Sequence, residues 1–420
     1  MINVFTKTLI MVEKSGLWKR LGRMKREDLA GGIRECLQRL PAPYAQHYGV
    51  VPPPPPEGGV MLGDAAARHG QALSALGEIA ALTRTLPDPY LISRVLSRQE
   101  ALSSSALEGT HSTLNELLVV DEDDQGASHA TRQVRDYAQT LERFLPQASS
   151  EGPALFRLPT VLALHQAVMQ HDPTYRGIPG TLRQDVVWIG GTGHIAYSTY
   201  NPPPPDQVAA CLEATLDYMR ADGLQQMTQS LITRLAIAHA HFEAVHPFSD
   251  GNGRVGRLLL PLMMAADGQV PLYLSPYIEA HRQDYYTALK RAQQRLDWPP
   301  LIGFLSDAII RTVTEVQVTR QATQTLKATW RQRRAFRKGS AALRALDLLT
   351  DYPVLTASRL GHLLDITPPA AQTALAQLCQ VGILTERTGY ARNRIYAAED
   401  VLTILNRPFG EEPALSDPSS

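Results

Sequence analysis

The chain has 420 residues, with 41 Lys+Arg balancing 41 Asp+Glu, so its formal net charge at neutral pH is zero. At about 100–200 residues per domain this length fits about two to four domains, and an apolar content of 44% can build their cores and excludes wholesale disorder. Cys36, Cys211 and Cys379 are widely separated and form no CxxC, which excludes a disulfide scaffold and a zinc ribbon and fits a reducing cytoplasm. The longest apolar run, 258–266, contains Pro261 and falls well short of the roughly twenty residues that a membrane span needs.

Residues 1–58 read as a tail, flexible or in part outside the native protein, with Met24 as an alternative start. Residues 4–12 are mildly apolar, but Lys7 interrupts them and no small-residue cleavage site follows, so no leader is expected. Pro52 to Pro56 form an unbroken run that excludes helix and inner strand. A helical region is expected over 59–125. Leu73, Leu76, Ile79 and Leu82 recur at helical spacing before Pro87-Asp88-Pro89, and a second helix is expected over 90–109. Gly109 is a good stop for it.

Across 126–325 helices are expected near 131–145, 157–172, 206–222 and 229–245, with another resuming near Arg254. Residues 185–200 have a different texture, two β-rich runs around Gly190-Gly191-Thr192-Gly193, which signals a hairpin. A basic helical connector follows at 326–340. Residues 341–405 then give three helices and two strands, the order of a winged helix-turn-helix. A disordered tail is expected over 406–420.

The most informative stretch is His246-Pro-Phe-Ser-Asp-Gly-Asn-Gly-Arg-Val-Gly-Arg257. Gly251 and Gly253 permit close backbone approach, and successive N–H groups opening a helix form an anion-binding concavity. Asn252, Arg254 and Arg257 supply donors for phosphate oxygens. Asp250, the one carboxylate in the loop, could hold Mg²⁺ together with phosphate oxygens and waters. His246 could take a proton from a hydroxyl at neutral pH. DGNG alone is an ordinary turn and a lone histidine an ordinary helix end; it is their convergence that points to phosphate chemistry.

The whole stretch resembles the signature of Fic-domain proteins, His-x-Phe-x-(Asp/Glu)-Gly-Asn-Gly-Arg-x-x-Arg, with every defining position met. The resemblance covers about residues 60–310. It implies a mainly α fold, a Fic-type helical bundle with a short β-hairpin flap, here followed by the small winged helix-turn-helix. It also implies transfer of AMP from ATP to a Ser, Thr or Tyr hydroxyl of a target protein, with Mg²⁺. His246 would be the general base, and Phe248 would anchor the loop beside Ser249. Asp250 would bind the metal, and Gly251, Asn252 and Gly253 would cradle the α- and β-phosphates. Arg254 would contact phosphate and Arg257 the γ-phosphate. Upstream, Ser104-Ser-Ala-Leu-Glu108-Gly109 resembles the family's inhibitory motif, (Ser/Thr)-x-x-x-Glu-(Gly/Asn). Glu108 ends a helix, where the macrodipole disfavours a negative charge by a few tenths to about 1 kcal/mol, so a cationic partner is expected. The resemblance makes that partner Arg257.

The hairpin at 185–200 stands where the family has a flap that clamps the target; an ordinary hairpin reads equally well. Arg183, just before it, is expected to be structural. Tyr285-Tyr286 resembles a pair lining the adenine pocket, although one of the two could simply be core. Gln293 departs from the Asn or Arg common in the family. His239 and His241 read as core or surface histidines rather than as a metal cluster. Arg387, Arg392 and Arg394 make the wing basic, but helix 370–381 carries no Lys or Arg. DNA binding there competes with a protein-docking or dimerising role. Three functions stay open: an inhibited adenylyltransferase able to label itself or a target, a DNA-binding regulator with a nucleotide-responsive Fic module, and AMP removal or another Fic-type transfer.

Overall fold

The structure, a computed structural model, describes residues 24–85, 94–124, 126–191, 193–389 and 394–414. The expectations for 1–23, 86–93, Thr192, Arg392 and 415–420 concern residues outside those described. The fold is mainly helical. Helix α1 (Gly31–Glu35) and the strands β1 (Leu37–Arg39) and β2 (Tyr48–Val50) come first. Helices α2 (Ala66–Thr85), α3 (Arg94–Leu107), α4 (Leu114–Val120), α5 (His129–Glu151) and α6 (Leu158–Met169) follow. Next are α7 (Val208–Arg220), the short α8 (Gln225–Thr228), α9 (Leu231–Val245) and α10 (Asn252–Ala266). The body closes with α11 (Ser275–Ala280), α12 (Arg282–Arg295) and α13 (Pro299–Arg333).

Helices α9 and α10 form the centre. Every residue of α9 is buried, and its apolar residues run all round it, as expected of an internal helix. Ser230 starts it, its hydroxyl accepting from Thr233 N at 3.2 Å. Helix α10 is buried on all sides except at Gly253 and Ala266 and packs on α5, α6 and α9. Helix α3 lies across α5 and α11, which brings its C-terminal end to the start of α10. The helix–loop–helix 231–266 is therefore held on a rigid core rather than on a surface loop.

Four sequence expectations change. Residues 24–58 are not a loose tail. β1 and β2 pair antiparallel with Leu37 opposite Val50, and Leu29, Ile33 and Val50 pack against Tyr200 and Ala244 in a small second core. The proline run becomes a strap, tied down where Gln229 Nε2 donates to Pro56 O at 2.7 Å and to Gly58 O at 2.6 Å. The hairpin at 185–200 is not a pair of strands. Ile189 and Tyr200 form one isolated antiparallel bridge, and a 3₁₀ turn, Ile195–Tyr197, fills the intervening loop. The arm braces that loop from beneath: Val50 N donates to Asn201 O, Asn201 Nδ2 to Tyr48 O, and Tyr44 meets Trp188 edge to face. The connector is not a separate element, because α13 runs unbroken for 35 residues and buries Trp330 near its end. The tail is packed as far as 414: Arg407 pairs with Glu315 and donates to Thr319 Oγ1 at 2.7 Å.

Past α13, the order is α14 (Ala341–Leu348), β3 (Val354–Thr356), α15 (Ala357–Leu364), α16 (Pro368–Gln380), β4 (Thr385–Glu386), β5 (Ile395–Ala397) and α17 (Glu399–Leu405). The sheet order is β3-β5-β4, all antiparallel. This unit docks on α3 and α4. Arg359 Nε donates to the buried Glu122 at 3.0 Å, Thr356 Oγ1 donates to the same carboxylate, and Gln99 Nε2 donates to Leu405 O at 2.8 Å. Arg387 pairs with Glu399 and also reaches Asn115.

Candidate functional site

The chain reverses between α9 and α10 over residues 246–251. His246 ends α9 in a left-handed conformation (φ 49°, ψ 63°), and Gly251 opens α10 with φ 78°, where a Cβ would strike Met169. No side chain caps α10, so the N–H groups of its first turn face the loop's concavity unspent on a cap.

Buried contacts fix the loop. Asn252 Nδ2 donates to Phe248 O and Asn252 Oδ1 accepts from Phe248 N, both at 2.8 Å. Its side chain is thus a staple that holds the loop closed across Phe248. Phe248, fully buried, stacks on His165 with ring centroids 3.8 Å apart. His165 Nδ1 accepts from Gly180 N, so Nε2 carries the proton and donates to Asp250 O at 3.1 Å. Burial pushes His165 down to about 4, keeping it neutral. Arg183 is a clasp beneath: Nε donates to His246 O at 2.7 Å, Nη2 to Pro203 O at 2.7 Å and Nη1 to Asp185 O at 3.0 Å. Its expected structural role matches these contacts.

His246 Nδ1 lies 3.4 Å from the carbonyl of Glu243 and 3.9 Å from its carboxyl Oε2. A proton on Nδ1 leaves Nε2 free to accept. Burial, helped by the Arg183 charge, lowers the imidazole to about 4, so the neutral form prevails at pH 7. Glu243, buried with Oε1 unpartnered, is raised to about 8 by desolvation, which the Arg257 charge only partly opposes. Sequence reading missed both Glu243 and His165. The signal for Glu243 was its place three residues before His246 on one helix; nothing local marked His165.

The structure brings Glu108 and Arg257 together, with Nη2 donating to Glu108 Oε1 at 2.6 Å. Ser104 completes the cup: its hydroxyl accepts from Nε and its carbonyl from Nη2, each at 2.9 Å. Arg257 is 1% exposed; burial pulls its pKa down, but the Glu108 carboxylate together with the tyrosines around it, Tyr285, Tyr286 and Tyr137, holds it above its ordinary value. The carboxylate rests on Gly253, where an added methyl group would collide with it. Glu108 thus sits where an anion would sit at the start of α10. Helix α3 can end there because Gly109 turns left-handed (φ 81°) and Thr110 N closes on Ser105 O.

Arg254 is less well served. It is buried, 3.5 Å from Asp172 and 2.9 Å from Met169 Sδ, with Nε and Nη1 unpartnered. Ser249 is half-buried at the loop's rim. Tyr285 is core: its hydroxyl is 2.6 Å from His239 Nε2, and His239 Nδ1 meets Gly256 O. Tyr286, half-buried, lies 5.0 Å from Tyr285 and faces the Glu108–Arg257 pair. His239 and His241 are both buried, and His241 Nδ1 is 2.8 Å from Thr215 Oγ1.

Asp250 accepts from Gly251 N at 2.6 Å, and burial raises its pKa. Among the described residues no group of three or more His, Cys, Asp or Glu could hold a metal. One carboxylate beside the uncapped start of α10 suits Mg²⁺ that arrives with phosphate oxygens, not a resident ion. Also among the described residues, no helix is long and apolar enough to cross a membrane.

Two family models match this region. One described as Fic/DOC family covers residues 155–264, and one described as Fic/DOC family N-terminal covers 66–144. Curated proteins named Protein adenylyltransferase Fic from Culex quinquefasciatus and Drosophila erecta are each 30% identical, over 156 and 153 residues. Those stretches are 37% and 36% of this chain, and the chain matches only 28% of the length of each relative. The crystal structure of a Fic family protein from Desulfovibrio desulfuricans G20 shares the fold, with a TM-score of 0.50 and 21% identity over 81% of this chain and 98% of that one.

Proposed function

Taking as premise that this chain is a Fic-domain protein, we propose that it transfers AMP from ATP to a hydroxyl of a protein, and that Glu108 holds this activity in check. The observation that carries the reading is the seat of Glu108: its carboxylate engages Arg257 at 2.6 Å, against Gly253 at the N-terminus of α10. The triphosphate would lie along the concavity, its charge met by the backbone N–H groups of Asn252 and Gly253 and by Arg257. Asp250 would hold Mg²⁺ together with phosphate oxygens, and the metal when bound supplies charge neutralisation there. The attacking hydroxyl gives its proton to His246 Nε2 while its oxygen bonds to the α-phosphorus and diphosphate leaves. His246 Nδ1, facing Glu243 O, orients that acceptor.

With Glu108 in place, the γ-phosphate loses Arg257 and meets a like charge. Inhibition follows from occupancy and repulsion together. The target segment would lie along 185–200, where Tyr197 is exposed and the N-terminal arm supports the loop. The test uses ATP labelled at the α-phosphate, Mg²⁺ and the Glu108→Gly protein. Label should appear on that protein or on one in an added lysate, and His246→Ala in the same background should not show it. Undiminished labelling by the double variant would sink the mechanism.

A further inference from the structure

Helix α3 presents Ser104 to Arg257, and the face that carries Leu96, Gln99, Leu102 and Ser103 borders a cavity of about 550 Å³. The other walls come from residues 112–114 at the start of α4, residues 270–273, α11, the middle of α13 and residues 405–409. This volume is within the range that takes a small organic ligand, and the lining is mostly apolar, with Leu102, Tyr273, Val316 and Phe409 among it. The cavity lies at the seam between the inhibitory helix and the C-terminal unit, which Gln99 and Leu405 bridge directly.

Two polar groups point to an occupant. Thr312 is only 4% exposed and borders the cavity, yet its hydroxyl has no hydrogen-bond partner. A buried donor of that kind is normally satisfied. Glu279, half-buried on another wall, has no ion pair or hydrogen bond among the described residues. The remaining charges of the lining, Glu315 and Arg407, neutralise each other. The cavity therefore offers apolar surface, one uncompensated carboxylate and one bare hydroxyl.

We propose that this cavity binds an apolar-bodied organic amine, its ammonium paired with Glu279, its body against Leu102, Tyr273 and Phe409, and a polar atom of it satisfying Thr312. An anion would meet Glu279 with the wrong sign, and a neutral hydrocarbon would leave both polar groups bare. An occupant touches α3 on one side and 405–409 on the other. It fits the arrangement in which Glu108 engages Arg257, so it favours that arrangement and acts as an inhibitor. This last consequence rests on the proposed role of Glu108; the binding itself does not.

Calorimetric titration of the full chain with tryptamine, indole and indole-3-acetate tests the site. Tryptamine should bind saturably at one site and more tightly than the other two. Glu279→Gln, an isosteric change, should weaken it at least tenfold. Ala280→Trp, which fills the cavity from an exposed position, should do the same. Absence of saturable tryptamine binding, equal affinity in all three proteins, or preference for the anion would overturn the proposal. The residual labelling of wild type should then fall with tryptamine while that of Glu108→Gly stays constant; equal inhibition of both would refute the coupling to α3. If Glu108→Gly transfers no label at all, the functional reading fails, and the calorimetry still decides the site.

Discussion

The loop after α9 and the end of α3 meet at Arg257, and they are held in opposite ways. Residues 246–253 are fixed by buried, mostly uncharged contacts: the Asn252 staple, the Phe248–His165 stack and the Arg183 clasp. Glu108 is fixed chiefly through one ion pair, with 33% of its side chain exposed. Buried neutral hydrogen bonds gain little from water and lose a lot when broken. An ion pair at a solvent boundary can exchange its anion for another at modest cost. On the proposed reading, the contrast separates a preorganised phosphate seat from a releasable occupant of that seat.

Substitutions can break this contrast from either side. The largest effect should come from His246→Ala in the Glu108→Gly background, which should lose about 10²–10⁴-fold in labelling rate, the usual contribution of a general base. Asn252→Ala should rank next: it orphans both polar groups of Phe248, should cost about 2 kcal/mol in a urea melt, and should abolish labelling with the seat. Glu108→Gln should cost about 1 kcal/mol or less, because Ser104 still accepts from Arg257 and water can reach the vacated edge. A melt in which Glu108→Gln is the more damaging of the two would reverse the contrast.

The pH dependence sharpens the same point. His246 must be neutral to accept a proton, and burial lowers it to about 4, so labelling by Glu108→Gly should persist through pH 6 and fail only toward pH 4. Loss of half the rate already at pH 6.5 would place the imidazole in water rather than in the core. Glu243 gives the smallest effect, with the opposite sign. Its carboxyl is raised to about 8, so the folded protein holds a proton that the unfolded chain, near 4.5, releases. Wild-type stability from this group is complete below about 4.5 and is lost as pH rises through 8. Glu243→Gln lacks the term, so its Tm relative to wild type should climb by a few degrees across that window. A pH-independent difference would remove the buried-acid assignment.

How much was legible follows from the reach of each interaction. The 246–257 stretch could be read because its donors, carboxylate and histidine are neighbours in sequence and only their types matter. Glu108 was legible at a distance because its stretch, Ser104 to Gly109, resembles the family's inhibitory motif; its helix-end position alone only raised the question of a partner. Asn252 was read as a phosphate ligand because the sequence does not show that its amide is already spent on Phe248. The flap read as a hairpin from its β-rich runs, but the positive φ of Gly190 and Gly191 and the 3₁₀ turn at Ile195–Tyr197 leave room for one bridge only. The N-terminal arm read as a tail because a proline run forms no regular element by itself. Its order comes from Gln229 and the small core around Val50, tertiary contacts with no local trace. The basic residues near the end of α13 masked one continuous helix whose buried face includes Leu326 and Trp330.

The central claim is that Glu108 occupies a working phosphate seat. Its most direct test is to measure, side by side, the rate at which wild type and Glu108→Gly transfer label from α-labelled ATP, at saturating Mg²⁺ and equal protein. The account predicts at least a tenfold higher rate for Glu108→Gly. Equal rates would contradict it, and would leave the Glu108–Arg257 pair a structural contact at the end of α3.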